Sequence, residues 1–143
     1  MEMGDDDHKY IPNGSPVEVG LLKFLIDNEV PVQDQLVERE RLFKLMTMIP
    51  FSSERKRMTV AYRLPGEDGT VRVVVKGAPE YIIPVCTKEL DSSNDPNEFE
   101  GDGAHGDNHL ETIVSETIAK KGQKPISFAY RDFNMDEFNE LYA

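Results

Sequence analysis

Apolar residues recur along this chain at two different spacings. Leu21, Leu22, Leu25 and Ile26 follow a helical period, which predicts a helix burying that stripe. Ser15, then Pro16, with Glu18 three residues after the serine, supplies the start signal of a capping box. Pro31 stops the helix, and "VQDQLVERE" predicts a second, shorter one. The period then changes to two. In "RLFKLMTMIPF", Phe43, Leu45, Thr47, Ile49 and Phe51 fall on one face of a strand. "RMTVAYRL" alternates likewise, the turn "PGEDG" follows, and "TVRVVVKGA" is rich in β-branched residues, so an antiparallel hairpin is expected. "APEYIIPVC" predicts a short helix with Pro79 near its start, and "NHLETIVSETIAKKG" a longer one ending at Gly122. "KPISFAYRDF" predicts a further strand and "MDEFNELYA" a last helix. Without regular βαβ alternation, the class is α+β, a twisted antiparallel sheet flanked by helical layers in one domain over residues 1–143.

Charge narrows the function classes. The chain has 27 acidic and 16 basic residues, a formal net charge of −11. That balance argues against general nucleic-acid binding or attraction to an anionic membrane face. No apolar run approaches the roughly 20 residues of a membrane span, and the N-terminus lacks a secretory pattern. A single cysteine, Cys86, forms no internal disulfide and suits a reducing compartment. Residues 1–12 are acidic and unpatterned. Residues 89–111 hold eight acidic side chains and no Lys or Arg amid Ser, Asn, Gly and Pro, which predicts a disordered acidic loop over 89–109. Against this background, Arg55, Lys56 and Arg57 stand side by side in "PFSSERKRM". Such a run is ordinarily a solvated strand end, or else it meets an anion.

Four stretches carry a family resemblance. "GSPVEVGLL", "IPFSSERKRMTV", "VVVKGAPE" and "ISFAYRDF" resemble, in order and rough spacing, the signature segments of the nucleotide-binding domain of P-type ATPases. "AYRDF" with "GSPVEVGLL" is closest to the calcium-pump branch, especially the plasma-membrane type. The resemblance spans residues 12–133 and implies an ATP site. In it Phe51 stacks on adenine, Lys56 lies at the nucleotide, and Lys76, Gly77 and Ala78 line the adenine pocket. Glu18 matches the helix glutamate that contacts the purine, and Arg131 with Asp132 the arginine-aspartate pair ending the later strand. Where relatives often carry arginine, this chain has Lys124, which keeps the charge without the planar fork that grips phosphate bidentately. The chemistry is coherent: adenine wants a flat apolar platform, and the phosphate tail wants cations.

Other readings of these residues stay open. Glu18 serves equally as the third residue of a capping box. Phe51 also continues the apolar alternation of its strand and so suits the core. Lys76 could be an edge lysine. The resemblance further implies ATP, with accompanying magnesium, as cofactor, and the phosphorylation and actuator domains of a pump as partners. It places the segment at the cytosolic face of a membrane, without inserting into it. The phosphorylated aspartate of such pumps lies in a "DKTGT" segment that is absent here, so the segment is expected to hold ATP without hydrolysing it. No catalytic residue and no protein metal ligand is assigned. The alternative is a protein-interaction module acting through the acidic loop.

Overall fold

The computed structural model describes residues 14–66, 68–98 and 109–142. The acidic entry and the acidic loop beyond residue 98 lie outside them. The chain divides into two compact units, one up to Leu42 and one from Phe43 onward.

The first unit is a helix pair, α1 (Pro16–Asp27) and α2 (Val32–Leu42). The start of α1 is the capping box read from sequence. Ser15 Oγ accepts the Glu18 N–H at 3.3 Å, and Glu18 Oε2 accepts from the Ser15 amide at 3.3 Å and its hydroxyl at 3.0 Å. The helix stops where Glu29 adopts φ 59°, ahead of Pro31. The expected buried stripe is only half realised: Leu21 and Leu22 are half-buried, while Leu25 and Ile26 are exposed. Two helices of this length have little surface to bury against each other.

The second unit is built on a four-stranded antiparallel sheet in the order β1-β2-β3-β6. Its strands are β1 (Lys44–Ile49), β2 (Arg57–Arg63), β3 (Val71–Gly77) and β6 (Ser127–Phe133). Together with the helices this is the expected α+β class. β3 is the central member, paired along its whole length with β2 on one side and β6 on the other. Directly opposed residues in such ladders share a face. Thr47, Ala61, Val71, Val73 and Phe133 therefore face one way, and α5 (Met135–Tyr142) packs there with Phe138 in a cluster with Ala61 and Val71. The Thr47 and Tyr142 hydroxyls hydrogen-bond, tying the end of α5 to β1. Its start is capped by a reciprocal pair, Asn134 Oδ1 accepting the Glu137 N–H at 2.9 Å and Glu137 Oε2 accepting the Asn134 N–H at 3.0 Å.

Three local expectations are corrected. A bulge between Leu45 and Thr47 shifts the β1 register, so Leu45 opposes Tyr62 and does not share a face with Thr47 and Ile49. Met46, the extra residue, turns to the core instead. The helix expected over residues 108–122 is not uniform: it runs as α4 (His109–Thr112), widens to a π-helical stretch at Ile113–Ile118 and tightens to a 3₁₀ turn at Ala119–Lys121. It does end on a left-handed Gly122, with paired bonds from Gly122 to Ala119 and from Gln123 to Ile118. The first part of the acidic stretch is ordered as a small antiparallel ribbon, β4 (Lys88–Leu90) with β5 (Pro96–Glu98). Asp91 closes its turn by accepting the Ser93 and Asp95 amides at 2.8 and 3.0 Å.

Phe138 is the largest buried side chain of the sheet–helix cluster, 7% exposed. Phe138→Ala is expected to lower unfolding free energy by about 3 kcal/mol, seen as a lower urea midpoint at unchanged slope.

Candidate functional site

The pairing register gathers most of the candidate residues at one end of the sheet. Ile49 opposes Thr59, Arg57 opposes Gly77, and Gly77 opposes Ser127. At that end β1 leaves the sheet, β2 enters it, β3 finishes and β6 begins. Phe51, Lys56, Lys76, Gly77 and Ala78 all belong to these four junctions. Lys124 is three residues ahead of Ser127, within about 10 Å of chain.

The β1–β2 connection is a shaped turn. Pro50 follows the last residue of β1 and offers no N–H to continue the ladder. The Ser52 carbonyl accepts the Lys56 N–H at 2.8 Å, and Ser52 Oγ accepts the Arg55 N–H at 3.1 Å. Lys56 then takes φ 53°, a left-handed conformation uncommon outside glycine and asparagine. Phe51 sits on the shoulder of this turn with its side chain 57% exposed. It is beyond the strand and no part of the core, so the core-packing reading of Phe51 fails and an accessible aromatic surface remains.

On the facing side, β3 ends at Gly77 and runs through Ala78, extended at φ −67° and ψ 134°, into α3 (Pro79–Ile82). The Ala78 N–H donates to the Lys56 carbonyl at 3.1 Å. Gly77 permits that approach: a Cβ here would lie 2.5 Å from the Lys56 carbonyl oxygen and 2.8 Å from Arg57 Cβ. Its close neighbour is thus the backbone of the adjoining strand.

The basic run separates into three fates. Arg55 folds back, its guanidinium reaching the Pro50 carbonyl and Thr59 Oγ1, both at 3.4 Å. Arg57 enters β2 opposite Gly77 and is half-buried. Lys56, between them, is exposed. Lys76 lies on the sheet face away from Phe138, between Met58 on β2 and Phe128 on β6. Phe128 is exposed and was not marked by sequence reasoning; its place two residues before Tyr130 on an alternating strand is the only signal it gives.

Of the remaining candidates, one lies on the other sheet face and one belongs to the other unit. Arg131 opposes Val73, on the face opposite to Lys76, and its guanidinium lies 4.8 Å from the Phe133 ring centroid. Its sequence neighbour Asp132 faces the Lys76 side and holds Arg72 through two 2.8 Å hydrogen bonds, while Arg72 stacks 4.2 Å from the Tyr130 ring centroid. That geometry raises the Arg72 pKa and lowers that of Asp132, the mutual hydrogen bond being the main cause of both. Glu18 belongs to the helix-pair unit, where its carboxylate serves the capping box. No group of three or more His, Cys, Asp or Glu placed to hold a metal ion occurs among the described residues. Nor is any described helix long and apolar enough to cross a membrane.

The family described as P-type ATPase, cytoplasmic domain N, matches residues 1–143. Among similar proteins are plasma membrane calcium-transporting ATPase 1 of Gallus gallus, 33% identical over 87% of this chain, and plasma membrane calcium-transporting ATPase 3 of Homo sapiens, 34% identical over 85%. Calcium-transporting ATPase 2 of Cryptococcus neoformans var. grubii is 35% identical over 84%. The matched region is 10%, 9% and 8% of these three relatives, so the chain spans about a tenth of their length.

The Arg72–Asp132 pair has a signature in pH. The Asp132 carboxyl titrates lower in the folded chain than in the unfolded one, so its stabilisation is present above the unfolded value of about 3.9 and fades as pH falls through the folded value. Both side chains are 38% exposed, so solvent screening limits the pair to about 0.5–1 kcal/mol. Asp132→Asn is expected to cost that much at pH 7 and progressively less below about pH 4, measured by urea unfolding across pH.

Proposed function

Because the chain belongs to the family of cytoplasmic N domains of P-type ATPases, we propose that it is the ATP-binding domain of a calcium-transporting pump. The observation that carries this reading is the exposed Phe51 ring at the sheet end where Lys56 and Lys76 also stand. Adenine stacks on Phe51, with Lys76, Gly77 and Ala78 forming the opposite side. Lys56 and Lys124 neutralise the phosphate tail, and magnesium accompanies the nucleotide. Arg131, on the sheet face opposite to Lys76, is given no direct contact in this reading. A contact between Glu18 and the purine would require the carboxylate to leave its capping box.

The domain contributes no bond-making group. It holds the nucleotide so that the γ-phosphate reaches an aspartate carried by a separate phosphorylation domain, with the actuator domain as a further partner. Its share of catalysis is positioning and charge neutralisation, which are the main demands of phosphoryl transfer. The calcium specificity in the names of its relatives comes to this chain by similarity alone.

An NMR titration with ATP tests the reading. Amides of Phe51, Lys56, Lys76 and Ala78 are expected to shift, and those of Lys44 and Arg63 at the far end of the sheet to stay. Shifts spread evenly over the sheet, or none, would overturn it. Phe51→Ala is expected to weaken ATP binding by roughly 1–3 kcal/mol with the fold intact, because the ring contributes both area and stacking. Lys76→Glu is expected to abolish binding, whereas Lys44→Glu, the same charge change at the far sheet end, leaves it within about twofold; equal losses would indicate a diffuse field and no pocket.

A further inference from the structure

We infer that Gly77 is a positioning residue, acting on the nucleotide through the backbone of Lys56 by a strap that fixes the Phe51 turn against the end of β3. Three observations meet at this point. The Lys56 carbonyl accepts the Ala78 N–H at 3.1 Å. Any Cβ at Gly77 would fall 2.5 Å from that same carbonyl oxygen, 2.8 Å from Arg57 Cβ and 3.0 Å from Arg57 Cα. Lys56 adopts φ 53° with no glycine or asparagine chemistry to favour it.

The contacts next to the strap show why it matters for a ligand. Two of them preorganise the turn from its own side: the Lys56 N–H bonds the Ser52 carbonyl at 2.8 Å, and the Arg55 N–H bonds Ser52 Oγ at 3.1 Å. These bonds define the shape of residues 52–56, but they do not attach that shape to the sheet. Arg55 reaches Thr59 on β2, and the attachment across to the end of β3 is the Lys56–Ala78 hydrogen bond, made just beyond the Arg57–Gly77 pair that opens the β2–β3 ladder. Phe51 and Lys56 ride on one side of it and Lys76 on the other. Their mutual spacing is therefore set at the point where a β-carbon cannot fit. A backbone at this separation cannot be re-established by rotating a side chain, because the obstructing atoms at Lys56 and Arg57 are backbone atoms and a Cβ.

A positioning role of this kind predicts coupling. Gly77 touches the phosphate-binding ammonium of Lys56 only through main chain, so an alanine at 77 should displace that ammonium without removing it. The role rests on the nucleotide reading above, and the experiment separates the two. In the ligand-free 143-residue chain, Gly77→Ala is expected to remove hydrogen-exchange protection at the Ala78 amide and to shift amides of residues 52–57. Amides in the middle of β3 should keep their protection. Ser52→Ala loosens the same turn without touching the sheet and serves where Gly77→Ala folds poorly; faster exchange at Ala78 is expected there too. Ala78 exchange unchanged in a folded Gly77→Ala, or in Ser52→Ala, overturns the strap, whatever ATP does.

With ATP, Gly77→Ala and Lys56→Met are each expected to weaken binding by about tenfold, and the double variant by little more than either alone. Multiplying losses in the double variant would mean that the two residues act independently, and would overturn the positioning role while leaving the nucleotide site in place. A wild-type chain whose amides do not respond to ATP overturns the nucleotide reading itself and the positioning role with it.

Discussion

A β-carbon is missing at residue 77, and the end of the sheet is organised around that vacancy. The Lys56 carbonyl occupies the place such a carbon would need. Lys56 is left-handed there, at φ 53°, which costs on the order of 1 kcal/mol. The hydrogen bond to Ala78 returns roughly the same amount, so the strap is close to neutral in stability. Its contribution is geometric. It ties the connection between β1 and β2, which carries the exposed Phe51 and Lys56, to the residue that follows β3. A looser loop of the same composition could visit that shape, but each visit would cost the entropy of closing it, and a ligand would have to supply that free energy on binding.

The charge distribution agrees with a site that works by contact. A chain of net charge −11 repels a polyanion at long range. At physiological ionic strength that repulsion decays over about 8 Å, a distance shorter than the sheet is long. In the proposed site, the lysines at the sheet end lie inside that distance of a bound anion and lose little to screening. Arg55, by contrast, is spent on the Pro50 carbonyl and Thr59, where it stiffens the turn that presents Lys56. A run of three like charges is tolerable because the three side chains diverge and one of them is used locally.

Features that depend on a few adjacent residues were legible from sequence, and features that depend on pairing were not. The capping box needs only Ser15, Pro16 and Glu18, and it is present in the structure as read. The β2–β3 hairpin follows from a Pro/Gly turn between two alternating runs, and the end of the long helix from Gly122. The bulge at Met46 could not be read, because an unbroken alternation in β1 looks the same whether or not its partner strand accepts every residue. The β4–β5 ribbon is obscured by composition: Asp, Asn and Ser predict disorder, yet Asp91 uses its neighbours' amides to build a turn. At the candidate site, the resemblance named Phe51 and Lys76, and the pairing register sets both at the same end of the sheet. The conformation of Lys56 was hidden, since nothing in "SERKR" announces a positive φ. The close approach of the Lys56 carbonyl to Gly77 was hidden as well, because it depends on the strand pairing.

The motif "AYRDF" shows how a contiguous stretch divides once it becomes a strand. With a period of two, Arg131 and Asp132 cannot serve one pocket; the pleat sends them to opposite faces. Asp132 then finds Arg72 directly across the ladder, and Tyr130, one step along the same face, covers the guanidinium. An exposed ion pair adds little stability, but a bidentate pair stacked on an aromatic ring resists sliding, because a slip of one residue would put Arg72 on the wrong face. That resistance matters four residues away, where the same register sets Lys76 opposite Phe128 and Gly77 opposite Ser127. The register clamp at one end of β3 and the backbone strap at the other thus act on the same strand. Between them they fix the backbone of β3 at Lys76, with Met58 on one side of it and Phe128 on the other.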